Sequence, residues 1–185
     1  MEHTSIEIPE PRLARLLFSD TRLAWVWLAL RIYVGYQWAF AGWEKLTGGW
    51  IGAQAGTALQ GFFAGVLQKV GGAHPIVSSW YGYFIEHFAM NHTVVFSYII
   101  SFGEFSVGLG LILGAFAGVA AFFGAFMNFN YLLAGTVSMN PTFFLLGILL
   151  ILAWRVAGYI GIDYFLLPKI SSLLRSKKHS QHHRS

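Results

Sequence analysis

The chain contains no cysteine. Disulfides, thiolate catalysis, iron-sulfur clusters and thiolate-bound metals are therefore excluded within it, and redox chemistry would need a bound cofactor, a partner subunit or direct transfer to a small molecule. Charge is scarce as well. Charged residues make up 11% of the 185 and apolar ones 56%, whereas roughly 25% charged is usual in soluble domains. That balance points to a membrane protein, and the spacing agrees. Leu23 to Leu46, Val94 to Gly114, Ala115 to Gly135 and Pro141 to Ile160 each offer about 20 mostly apolar residues, close to what a helix needs to cross a bilayer. The middle two form one run of about 40 residues, twice the span of a bilayer by helical rise, so the chain must turn back on itself. Gly114 to Gly118 is the natural hinge. The expected fold class is all-α. It is an integral membrane four-helix bundle with an extracytoplasmic loop carrying short amphipathic helices, one domain over 1–168 and a basic, histidine-containing cytoplasmic tail over 169–185.

Basic residues are missing from the short connections, and the long connection from Thr47 to His92 holds only Lys69. They gather instead at the ends: Arg12, Arg15 and Arg22 before the first span, and Lys169, Arg175, Lys177, Lys178 and Arg184 after the last. The positive-inside rule then puts both termini in the cytoplasm and the long loop outside. The tail sets topology and touches anionic lipid, so the bilayer is the expected partner and nucleic acid is not. Ala39-Phe40-Ala41 has the form of a signal cleavage site, but Arg31, Tyr36 and Gln37 interrupt the apolar core it would need, so an uncleaved first span is expected. No internal repeat is visible. Asp20-Thr21 can cap the first span. In the long loop Leu59, Phe62, Phe63, Val66, Leu67 and Val70 recur at helical spacing, which predicts an amphipathic surface helix. The segment HPIVSSWYGYFIEHF has the aromatic richness of a headgroup layer and is expected to pack over the outer mouth of the bundle. Asn140-Pro141 ends one helix and starts the next.

Polar groups within the apolar runs carry the functional signal. Arg31, Gly35, Trp38, Gly42 and Lys45 fall on one helical face, at offsets of four, seven, eleven and fourteen. Ser97, Ser101, Glu104 and Gly108 form a matching stripe on the second span. A carboxylate at the depth of Glu104 costs about 2.5 to 3.5 kcal/mol on insertion scales and needs a compensating partner. Counted from the ends of the spans, Arg31 and Glu104 sit at similar depth, so Arg31 is the expected partner through a bidentate pair. Asn128 shares a face with Gly124, Tyr131 and Gly135, which fits either a place in this network or an interhelical hydrogen bond. Asn130 points elsewhere, and Arg155 is expected to snorkel. Trp43, Glu44 and Trp50 read as interfacial anchors, while Lys45 continues the inward stripe and could draw in an anion. His74, Glu86, His87 and His92 match no metal-site spacing, and the tail histidines His179, His182 and His183 read as solvent-exposed.

Four stretches, in order, carry a family resemblance: RIYVGYQWAFAGWEKLTGGW, HPIVSSWYGYF, FGEFSVGLGLILGAFAGVAAFFGAFMNFNYLLAG and ILAWRVAGYIGIDYFLLP. The chain from Leu23 to Pro168 resembles the DoxX/DoxD family, above all in Arg-x-x-x-Gly and Gly-x-x-Lys-Leu of the first span and in Gly-Glu followed by Gly-x-Gly in the second. The resemblance implies a compact four-helix membrane protein. It also implies the activity of the membrane subunit of a thiosulfate:quinone oxidoreductase, which joins two thiosulfates into tetrathionate and passes the electrons to membrane quinone. A small accessory subunit would be a separate protein.

On this reading Lys45 and Arg31 attract an anionic sulfur substrate, quinone enters from lipid against Trp38, Asn128 joins the binding network, and Glu104 passes protons. Quinone is the expected electron acceptor, with no iron-sulfur cluster and no metal. The competing expectation is a non-catalytic membrane anchor or scaffold for a soluble redox partner. Transport has little support in four short-looped spans without a repeat.

Overall fold

The computed structural model describes residues 9–170 and 172, so nearly all of the basic tail, with its histidines, lies outside the described residues. Within them all regular structure is helical. In chain order the helices are α1 (Arg12–Ser19), α2 (Ala24–Thr47), α3 (Thr57–Leu67), α4 (Ser79–Phe84), α5 (Thr93–Leu113), α6 (Ala117–Leu133), α7 (Asn140–Leu152) and α8 (Trp154–Ala157). A last helical stretch covers 163–170.

The aromatic segment packs against the end of α6, the Tyr81 hydroxyl donating to Asn130 O at 3.1 Å, but it is not a separate piece. Helical turns link α4 to α5 without a break, giving one run from Ser79 to Leu113 of 35 residues. That run is long and apolar enough to cross a membrane. The other expected spans differ from it. α2 carries Arg31, Glu44 and Lys45, while α6 has 17 residues and α7 has 13. α7 is short because the helix breaks at Ala153, where the backbone turns before α8 begins.

The bend between α5 and α6 falls where the glycine pattern predicts. Gly114 (φ 65°) and Phe116 (φ 49°) are both left-handed, and Ala115 N–H reaches back to Gly110 O at 3.0 Å. This geometry closes the last turn of a helix on its own carbonyls. The start of α6 gains its cap from far along the chain: the buried Asp163 carboxylate accepts from Phe116 N at 2.7 Å and Ala117 N at 2.8 Å.

α2 and α5 run antiparallel and very close. A Cβ on Gly42 would lie 2.7 Å from Phe105 Cα, and one on Gly108 would lie 2.6 Å from Ala39 Cβ. Only hydrogen fits at either position, so these two glycines fix both the spacing and the register of the pair. α6 and α7 close the other side, with Gly147 against Ala125. One apolar cluster, including Trp27, Val34, Trp38, Leu111, Ala121 and Leu150, fills the middle. α3 behaves as its spacing predicts, burying Leu59, Phe63 and Val66 in a second cluster with Val77, Tyr81 and Ile85.

The outside of the bundle is apolar. Phe122, Phe123, Phe126 and Phe129 on α6 are exposed, as are Val95, Ile99 and Phe102 on α5, whereas Arg31, Glu104, Asn128 and Asp163 are buried.

Overpacking at the α2–α5 contact should be measurable. Gly42→Val is expected to lower stability by about 1–3 kcal/mol, since the added methyls meet backbone rather than a movable side chain. Gly61→Ala, where an added Cβ meets nothing within 4 Å, should instead raise stability by about 0.5–1 kcal/mol. Thermal unfolding in detergent reads both, and equal effects at the two positions would contradict the close-approach account.

Candidate functional site

The two polar stripes are buried and face each other. Arg31, Gly35, Trp38 and Gly42 are buried on α2 and Lys45 is half-buried, while Ser97, Ser101, Glu104 and Gly108 are buried on α5. The serines serve local needs. Ser97 Oγ donates to Trp50 O at 2.5 Å and ties the loop after α2 to α5, and Ser101 Oγ donates to Ser97 O at 2.8 Å.

Glu104 is compensated, but not by Arg31. Lys45 Nζ donates to Oε2 at 2.6 Å, and the Tyr131 hydroxyl donates to Oε1 at 2.5 Å. Both carboxylate oxygens thus hold a proton-bearing group, one from α2 and one from α6. Glu104 is 2% exposed, and the Lys45 side chain is 21% exposed. Lys45 also lies 5.2 Å from the centre of the Trp50 ring, an aromatic face that favours a cation.

Arg31 sits elsewhere. Its Nη1 donates to Ala157 O at 2.7 Å and its Nη2 to Ile160 O at 2.8 Å, so it ties down carbonyls released where α8 ends. Gly114 and Gly161 leave the room, since a Cβ on either would lie within 3 Å of the guanidinium. The expected pairing failed because it aligned the ends of the two spans. The register set by Gly42 on Phe105 and Gly35 on Leu111 instead puts Arg31 level with the α5–α6 bend. From there Glu104 is about 15 Å away along the helix.

The remaining site residues converge. A cavity of about 410 Å³ is lined by Trp38, Lys45, Glu104, Asn128 and Tyr131, with Gln37 and Ala41 of α2 at one side and Met139, Asn140 and Phe143 at the other. Trp50, Leu59 and Phe62 close it from the long loop. Four of the five residues expected at the site therefore line one cavity, and Arg31 is not among its lining residues. In the sequence Tyr131 stands out only for its place on the face of Asn128. Its signal was the single hydroxyl ring in a helix of phenylalanines. Asp163 is missing from the expected site, although it is a lone carboxylate in the apolar segment GIDYF.

Several expected bystanders stay outside the cavity. Asn130 Nδ2 donates to its own helix at Phe126 O, and Arg155 is exposed over the Trp154 ring. His74, His87 and His92 are exposed. Among the described residues no group of three His, Cys, Asp or Glu is placed to hold a metal ion.

No protein-family profile, no curated protein and no solved structure matches the chain.

The buried ion pair makes an asymmetric prediction. Lys45→Met leaves the Glu104 carboxylate buried with only Tyr131 beside it and should cost about 3–5 kcal/mol. Glu104→Gln should cost less, because Lys45 can turn toward solvent. The double substitution is expected to recover much of the Lys45→Met loss, and a double-mutant cycle on unfolding free energies would show strong coupling. Additive losses would mean that the two charges do not depend on each other.

Proposed function

We propose that the chain is a multi-pass membrane redox protein, with α2, the Ser79–Leu113 helix, α6 and α7 as a four-helix bundle and both termini cytoplasmic. The exterior supports this reading: a bundle that exposes Phe122, Phe123, Phe126 and Phe129 while burying Arg31 and Glu104 matches a hydrocarbon solvent better than water. The asymmetry of Lys and Arg between the ends and the long loop supports the orientation.

In this proposal the cavity passes electrons to a quinone, and the DoxX/DoxD-like motifs supply the donor: two thiosulfates joined to tetrathionate. The residues present fit a quinone, since Trp38, Trp50, Phe62 and Phe143 offer ring faces and Asn128 offers an amide. A quinone takes up two electrons and two protons when reduced. The chain's own part is to hold those protons. The observation that carries the reading is the buried Glu104 carboxylate on the cavity wall, with Lys45 on one oxygen and Tyr131 on the other. A carboxylate hydrogen-bonded to two proton-bearing groups can take a proton from one of them and pass it on, and each proton delivered to the quinone offsets the charge of one arriving electron.

The purified full chain in lipid nanodiscs, supplied with thiosulfate and a short-chain quinone, should reduce the quinone. Glu104→Gln should lower the rate by about 10²- to 10⁴-fold, the usual weight of a general acid-base group, and Tyr131→Phe should also lower it. An inactive chain that co-purifies with a soluble oxidoreductase would replace this reading with that of a membrane scaffold.

A further inference from the structure

The charged groups of the cavity are already spent. Lys45 is neutralised by Glu104 at 2.6 Å, the second Glu104 oxygen is taken by Tyr131, and Arg31, at 1% exposure, is locked onto carbonyls away from the cavity. A small dianion entering here would meet no unpaired cation and would carry its full desolvation cost into a low-dielectric space.

Three neutral polar groups on the same wall are not spent. Trp38 is 7% exposed, and its indole N–H makes no hydrogen bond. The other buried tryptophan, Trp27, donates to Leu17 O at 2.8 Å, as buried indoles normally do. Asn128 is 2% exposed, and its Nδ2 has no partner. The Gln37 amide, half-buried at the cavity edge, is also free of hydrogen bonds. An unpaired buried donor costs about 1–3 kcal/mol, so Asn128 Nδ2, buried and without a partner beside this cavity, needs an explanation. Position supplies one. The Trp38 indole nitrogen lies over Gly124, where a Cβ would approach to 3.1 Å, and Asn128 follows one turn later on the same face of α6. The carboxamide can turn about its last torsion and present its donor end to the cavity. What is missing is an acceptor, and among the described residues none meets either donor.

The geometry points to a binding site for a neutral, planar carbonyl compound, held at one carbonyl oxygen by the Trp38 indole N–H and the Asn128 carboxamide, with the anionic sulfur donor excluded to a separate place. This rests on the quinone half of the proposed function and deepens it. The two substrates do not share one pocket. The quinone ring lies among Trp38, Tyr131 and Phe143, with its second oxygen toward Gln37.

Equilibrium binding of a short-chain quinone to the full chain in phosphatidylcholine nanodiscs, with no sulfur donor present, tests this by calorimetry. Trp38→Phe, which keeps a ring and removes the donor, and Asn128→Leu should each weaken the dissociation constant about five- to tenfold. Gln37→Met should weaken it about two- to fivefold. Thiosulfate at millimolar concentration should leave quinone affinity unchanged. Wild-type affinity in Trp38→Phe, or displacement of quinone by thiosulfate, would overturn the inference. Should Asn128→Leu fail to fold, Trp38→Phe and Gln37→Met decide the matter. Quinone binding with these effects but no thiosulfate-driven reduction would sink the redox reading and leave this site standing. Reduction whose quinone KM is indifferent to Trp38→Phe would do the reverse, and no quinone binding at all would remove both.

Discussion

A carboxylate inside an apolar helical bundle must be balanced where it stands, and in this protein the balance of Glu104 depends on how closely two backbones can approach. Gly42 and Gly108 let α2 and α5 meet without intervening side chains. At that distance only one register avoids collision, and it brings Lys45 in the last turn of α2 level with Glu104 in the middle of α5. The cation also suits the end of a helix, where free carbonyls concentrate negative charge. α6 then adds Tyr131 from the third side. Packing of the smallest residues therefore decides the placement of the largest charges.

The opposite end of the bundle solves a different problem with similar means. Helix ends buried in an apolar setting leave carbonyl and amide groups with no water to satisfy them. Arg31 answers for the carbonyls of Ala157 and Ile160, and Asp163 for the amides of Phe116 and Ala117. Both are long-range caps, reaching across the chain. At the cavity end Lys69 plays the same part, donating to Gly135 O at 3.2 Å just past the end of α6. Arg31 and Asp163 are thus structural ties, while the Lys45–Glu104 pair lines the cavity.

This division explains what was legible in the sequence. Both inward stripes could be read, since helical periodicity reports faces directly. Glu104, Lys45, Trp38 and Asn128 were placed at the site for that reason, and they do line one cavity. The bend at Gly114, the amphipathic α3 and the start of α7 at Asn140-Pro141 were legible because glycine and proline act locally. Depth was not legible. It follows from the axial register of two helices, which Gly42, Gly35 and Gly108 set through contacts between elements, and nothing within one helix reports it. Pairing Arg31 with Glu104 was the natural result of aligning helix ends. The continuity of α4 with α5 was hidden for a related reason: aromatic residues mark a level in the headgroup layer and say nothing of whether a helix passes through it. Asp163 was invisible because its partners are backbone amides 46 and 47 residues away.

The neutrality of the Lys45–Glu104–Tyr131 cluster bears on what chemistry such a cavity can host. Inside a low-dielectric wall, bringing in one uncompensated charge costs far more than moving a proton between groups already present. A proton that passes from Lys45 to Glu104, or from Tyr131 to Glu104, leaves the summed charge of the three unchanged. An anion entering from outside does not. In the proposed reaction, the same three residues that make Glu104 tolerable in the bundle would favour a neutral guest and proton exchange over anion capture. The free donors of Trp38 and Asn128 add direction to that preference, because an oxygen that gains electron density in the cavity would find hydrogen-bond donors waiting for it.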